Sequence, residues 1–124
     1  MTNYTKTELG KLENLETSYQ NGKAFLHDAL NLTSCEISLN TMKKNTKLPF
    51  SHKHKQNEEI YIFVKGEGRM VLDDTTINFK EGSCIKVLPQ VKRTMETDTD
   101  TIYICIQAKT GSLEQFAMDD AELC

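Results

Sequence analysis

The chain has 124 residues, 38% of them hydrophobic and 27% charged, with a formal net charge of −3. That length suits one domain, residues 1–124, with a hydrophobic core of its own, and the balance is that of a globular chain, not a disordered one. No basic stripe is present to neutralise a phosphate backbone and tryptophan is absent, which argues against nucleic acid as a partner. No apolar run has the length of a signal peptide or a membrane span, so no membrane association is expected and the expected location is cytoplasmic.

Along the chain, residues 7–16 place Leu9, Leu12 and Leu15 on one side of a short amphipathic turn, weakened by Gly10. Beyond it the pattern is one of short strands broken by polar clusters. Strands are expected over 23–31 and 34–42, then a polar turn over 43–47. A strong strand follows over 59–64, closed by Gly66-Glu67-Gly68. Residues 69–72 and 76–79 face each other across Asp73-Asp74-Thr75, a hairpin signal. Gly82 marks a turn before a strand over 84–88, which Pro89 ends. A weaker strand over 94–97 turns at 98–100 into a last strand over 101–108, and an arm or short turn follows from Thr110. Many short strands with evenly spaced turns argue an all-β sandwich or closed barrel. With no Cys-x-x-Cys pair, Cys35, Cys84 and Cys105 are expected to pack as small hydrophobes, and Cys124 to be an exposed thiol.

The informative segment is 49–68. Side chains alternate faces along a strand, so His52 and His54 share a face if this stretch is extended. Glu59, Tyr61 and Phe63 share the inner face of the next strand, and Glu58 falls opposite or in the turn. Two imidazoles and a carboxylate from neighbouring strands suit a first-row divalent ion and leave coordination positions open. The competing reading is a solvated His-x-His strand face among lysines. His27, on the parity of Phe25 and Ala29, reads as a hydrogen-bonded structural residue. Ile60, Ile62 and Val64 lie opposite Glu59, Tyr61 and Phe63, and Ile102, Ile104 and Ile106 lie opposite Tyr103 and Cys105. Strands apolar on both faces need cover on both, from a second subunit in a homodimer or from residues 23–42 of the same chain.

His-x-His, four residues, Glu, six residues, Gly is the spacing met by His52, His54, Glu59 and Gly66. It resembles the first cupin motif. The glycine usual upstream of the histidines is replaced here by Asn45-Thr46, and asparagine tolerates the left-handed conformation that turn needs. Gly82, Pro89 and the position four residues on echo the second motif, except that Arg93 stands where the family commonly has a last histidine ligand. The resemblance covers about 39–108. It implies a cupin double-stranded β-helix, a jelly-roll-like antiparallel barrel over about 34–108 with extra N-terminal strands, a site in the barrel mouth, and a homodimer.

The resemblance further implies one divalent metal ion (zinc, manganese, iron or nickel) on His52, His54 and Glu59, since arginine does not bind a cation. Two function classes follow: a metal-dependent enzyme of the sugar isomerase, epimerase, decarboxylase or dioxygenase kind, or a non-catalytic module that binds or senses a small ligand such as a sugar. A metal-free scaffold with hydrogen-bonded histidines is the third reading. Tyr61 is a candidate substrate contact, and no general base stands out. For Arg93 two readings stay open: a receptor for a small anionic substrate beside the metal, or a rim ion pair with Glu58, Glu96 or Asp98.

Overall fold

A computed structural model describes residues 3–114 and 120–124. Among the described residues, eight antiparallel strands make two sheets. The strands are β1 (Lys23–Phe25), β2 (Glu36–Met42), β3 (Asn57–Lys65), β4 (Gly68–Leu72), β5 (Thr75–Phe79), β6 (Cys84–Val87), β7 (Arg93–Thr97) and β8 (Thr101–Lys109). One sheet has the order β1-β2-β8-β3-β6 and the other β5-β4-β7. The core lies between them: Met42, Tyr61, Phe63, Val87, Tyr103 and Cys105 from the larger sheet meet Met70, Phe79 and Met95 from the smaller. Phe63 stacks on Phe79 across the gap, with ring centroids 3.8 Å apart and planes 12° off parallel. This is the all-β packing expected from the strand pattern, in the jelly-roll-like form that the cupin resemblance implies.

The period-two reading of β3 and β8 holds. Glu59, Tyr61 and Phe63 are buried, whereas Ile60 and Ile62 on the opposite face are half-buried and Val64 is exposed. On β8, Tyr103 and Cys105 point into the core while Ile102, Ile104 and Ile106 face outward. The N-terminal segment covers part of that outer face: Leu15, Ala24 and Leu39 form a second cluster with Leu9, Leu12, Tyr19, Ile37 and Ile104 packed against it. Leu15 begins the short helix α1 (Leu15–Ser18), after a 3₁₀ turn at Leu12–Asn14. The hydrophobic spacing of this region therefore anchors it, although it makes single turns and no continuous helix.

Two local expectations are corrected. Residues 23–31 are not one strand: β1 stops at Phe25, and α2 (His27–Leu30) makes a single helical turn. Asn31, left-handed at φ 54°, closes that turn, and Glu36 Oε1 accepts from the backbone N–H of His27 at 2.9 Å. His27 therefore sits on an exposed turn beside Asp28, outside any strand. Cys84 is exposed and does not pack as a hydrophobe, because it faces outward from an edge strand; Cys105 is buried and Cys35 half-buried. Asn45 does adopt the left-handed conformation, at φ 56°. The arm or short turn expected from Thr110 begins as a turn at Thr110–Gly111, closed by Ser112 N–H donating to Lys109 O; residues 115–119 lie outside the described ones.

Candidate metal and ligand site

The inner face of the larger sheet is laid out in rows by strand register. Gln107, Glu59 and Val87 form one row; Phe25, Ser38, Cys105 and Tyr61 form the next; Lys23, Asn40, Tyr103 and Phe63 form a third. Glu59 thus stands on an interior strand between β8 and β6, 4% exposed. His52 and His54 reach it from the loop before β3, not from a paired strand. A single antiparallel bridge joins His52 to Arg93, with His52 N–H donating to Arg93 O at 3.1 Å and Arg93 N–H returning the bond to His52 O at 2.9 Å. His54 N–H donates to Pro89 O at 2.8 Å. These bonds bring the two imidazoles together, ring centroids 5.2 Å apart and nearly perpendicular.

The two oxygens of Glu59 have different surroundings. Oε1 accepts from the Tyr61 hydroxyl at 2.6 Å and from Arg93 Nη1 at 2.9 Å, with His52 Nε2 at 3.8 Å. Oε2 has the Cys105 thiol at 3.4 Å and His54 Nε2 at 3.1 Å. That last approach is not aligned as a hydrogen bond, and His54 Nε2 is buried with no hydrogen-bond partner. Burial pushes the Glu59 carboxyl up, and this is the largest single influence. The Tyr61 hydroxyl, His54, Arg93 and Cys105 together outweigh it and hold the group below the usual carboxylate range. Desolvation lowers the His52 pKa, so its neutral, metal-binding form is favoured. Burial, reinforced by Glu59, raises the Tyr61 hydroxyl and pushes the Cys105 thiol up to about 12, so both stay protonated.

Arg93 is neither a rim residue nor an open fork. It is 2% exposed. Its Nη2 donates to the carbonyls of Leu88, Pro89 and Val91 at 2.8, 3.0 and 2.8 Å, its Nε to Val91 O at 3.2 Å, and its Nη1 to Glu59. Of the rim partners considered for it, Glu96 and Asp98 pair with Arg69, and Glu58 is not within ion-pair distance of it; its one carboxylate partner is Glu59. What sequence spacing could not show is that position 93 lies against position 59.

The donor atoms of His52, His54 and Glu59 lie within 4.8 Å of one another. A first-row ion with bonds near 2.0–2.2 Å needs little more than rotamer adjustment to draw them together. The set fits a divalent metal through Oε2, the oxygen that faces the orphaned imidazole nitrogen. Tyr61 and Arg93 would then hold Oε1 and orient the carboxylate, as outer partners of metal ligands do. The site opens into a cavity of about 230 Å³ whose lining includes His52, His54, Glu59 and Arg93 along with the apolar Leu48, Phe50, Met70 and Met95. Thr94 Oγ1 and His54 Nε2 are the two buried side-chain polar atoms without a hydrogen-bond partner among the described residues, and both residues line this cavity. Lys23 and Phe25 from β1 line it too; neither carried a motif signal, because their place depends on the β1–β2 register.

No protein-family model matches the chain, and no curated protein matches it. Solved structures do. A cupin protein from Bacteroides fragilis is similar over 100% of this chain and 99% of its own, with 34% identity and a TM-score of 0.87. A predicted oxalate decarboxylase from Thermotoga maritima shares 19% identity over 70% of this chain and 78% of its own, TM-score 0.61. A sugar phosphate isomerase of the cupin superfamily from Silicibacter pomeroyi shares 20% over 71% and 59%, TM-score 0.60. The last two show the fold alone; the first, over the full length, matches in sequence as well. The chain belongs to the cupin superfamily.

Proposed function

We propose that the cavity binds a small molecule beside one divalent metal ion held by His52 Nε2, His54 Nε2 and Glu59 Oε2. The observation that supports this most is the orphaned His54 Nε2, 3.1 Å from a carboxylate oxygen and bonded to nothing. Leaving a buried polar atom unsatisfied costs about 1–3 kcal/mol, and a cation between the two atoms removes that cost. Zinc, manganese, iron and nickel all accept a two-histidine, one-carboxylate set with open positions. When bound, such an ion polarises an oxygen of the small molecule. The cavity volume of about 230 Å³ is below the roughly 300–1,000 Å³ of drug-sized sites, so the ligand is small.

Binding without turnover is favoured over acid–base catalysis by one further observation. The groups nearest the metal position, Tyr61 and Cys105, are held protonated and already donate to Glu59. Neither serves as a general base near neutral pH. The sugar isomerase and decarboxylase readings would need a base other than these two.

The test is calorimetric titration of EDTA-treated protein with zinc, followed by thermal melts. One zinc per chain should bind and raise the melting temperature, and His54→Ala should abolish both effects while His27→Ala changes neither. Zinc binding that survives in a His52→Ala, His54→Ala double variant would overturn the assignment.

A further inference from the structure

We infer that Lys23, on the N-terminal strand β1, is the anion-binding residue of the cavity, and that the ligand is a small carboxylate with an apolar body. This builds on the cavity as the ligand site but does not depend on the metal. Two cations line the cavity, Lys23 and Arg93, and one acid, Glu59. Arg93 is spent on Glu59 and on three backbone carbonyls. Those two charges cancel where they stand. Lys23 is left as the cavity's uncompensated charge, and among the described residues no carboxylate lies within ion-pair distance of it.

The position of the ammonium is well defined. Lys23 pairs with Asn40 on β2, which pairs with Tyr103 on β8. Lys23 Nζ donates to Asn40 Oδ1 at 2.8 Å and lies 5.8 Å from the centre of the Tyr103 ring. Asn40 cannot swing away, because its own amide donates to Ser38 O, Ser38 Oγ and Tyr103 O. An ammonium has three N–H donors, and one is used here. Lys23 as a whole is exposed, but its bond to Asn40 is partly buried, and burial is the leading influence that lowers its pKa. A partly desolvated cation with free donors in a pocket is a receptor for an anion.

The rest of the lining sets the body of the ligand. Phe25 and Phe50 are 58% and 64% exposed, yet both border the cavity, one from β1 and one from the loop that carries His52. Leu48, Met70 and Met95 continue the apolar wall. A molecule with its carboxylate on Lys23 would lay its body against these side chains and cover both rings. Thr94 Oγ1 and His54 Nε2 are then the polar atoms left to meet any second polar group on it. A neutral ligand of the same shape would leave the ammonium unmatched.

The experiment uses phenylacetate and its neutral counterpart phenylacetamide, with calorimetry and thermal melts, on full-length protein kept in EDTA so that no metal can hold the carboxylate. Phenylacetate should raise the melting temperature at about 10 mM and bind at least about tenfold more tightly than the amide. Lys23→Gln should remove the preference for the acid, and Lys23→Arg should keep most of it. If Lys23 only clamps β1 to Asn40, Lys23→Gln will lower the melting temperature of the free protein and leave the preference in place. That outcome overturns the inference. So does the absence of any preference, whether neither probe binds or both bind alike. Zinc titration of the same variants after the EDTA is removed by dialysis separates the two readings: a protein that binds no zinc but prefers phenylacetate through Lys23 loses only the metal site.

Discussion

Replacing Arg93 by methionine isolates the buried ion pair. The substitution keeps the unbranched stem and removes the charge. Arg93 and Glu59 are 2% and 4% exposed and joined at 2.9 Å, so the carboxylate left behind cannot recruit bulk water freely. Breaking such a pair by removing one partner costs about 3–5 kcal/mol. The carbonyls of Leu88, Pro89 and Val91 lose their donors as well, which loosens the 88–91 turn that also receives His54 N–H. At about 3–6 °C for each kcal/mol in a chain of this size, the melting temperature should fall by roughly 9–30 °C. Circular-dichroism melts in EDTA read this directly. Glu59→Gln paired with Arg93→Met removes both charges, so the double variant should be more stable than the sum of the single losses implies, by about 2–3 kcal/mol. Single losses that simply add, within about 0.5 kcal/mol, would refute the idea that these two side chains act as one unit.

Acid should act through Glu59 in metal-free protein. Its native pKa lies below the ordinary 4.5, so the unfolded chain binds more protons in the window between the two values. The stabilisation is complete above that ordinary value and is lost as pH falls through the native one; Glu59→Gln should flatten that part of the stability–pH curve, and an unchanged curve would refute the assignment. Gly66→Ala should destabilise the fold by at least about 2 kcal/mol in urea melts, because a Cβ at φ 99° would run into Thr101 Oγ1 and lie 2.6 Å from Asp100 O. The outer face of β3 and β8 should be a dimer interface: Ile60 lies opposite Ile106 and Ile62 opposite Ile104, and the N-terminal cluster takes in Ile104 but not Ile60 or Ile62. Light scattering should give twice the 14.1 kDa chain mass, and Ile62→Glu should halve it; a wild-type monomer at micromolar concentration would refute this.

Most of the barrel was legible because strand faces are written locally. Glu59, Tyr61 and Phe63 alternate with Ile60, Ile62 and Val64, and that alternation survives in the fold. The histidine pair was found by spacing, but the shared-strand argument for it was incomplete. His52 and His54 converge because a loop is tied to Arg93 and Pro89, contacts more than 30 residues away in sequence. The same distance hid the partner of Arg93: nothing local distinguishes Glu59 from Glu58, Glu96 or Asp98 as its counter-ion. The error at 27–30 has a different origin. A short apolar run reads equally as a strand or a helical turn, and the left-handed Asn31 and the Glu36 bond to His27 N–H decide for the turn. Lys23 carried no signal because three residues of edge strand define a register only when β2 is in place.

The two faces of β1 have a consequence for how affinity is controlled. Lys23 and Phe25 border the cavity, while Ala24 between them is 1% exposed and packs with Leu15 and Leu39 on the other side of the strand. A three-residue strand cannot keep one face seated after losing the other. Occupancy of the cavity and docking of the N-terminal segment should therefore be thermodynamically linked: whatever loosens Leu12 or Leu15 would raise the dissociation constant of a molecule neither residue touches, and a molecule bound there would shield residues 12–24 from proteases.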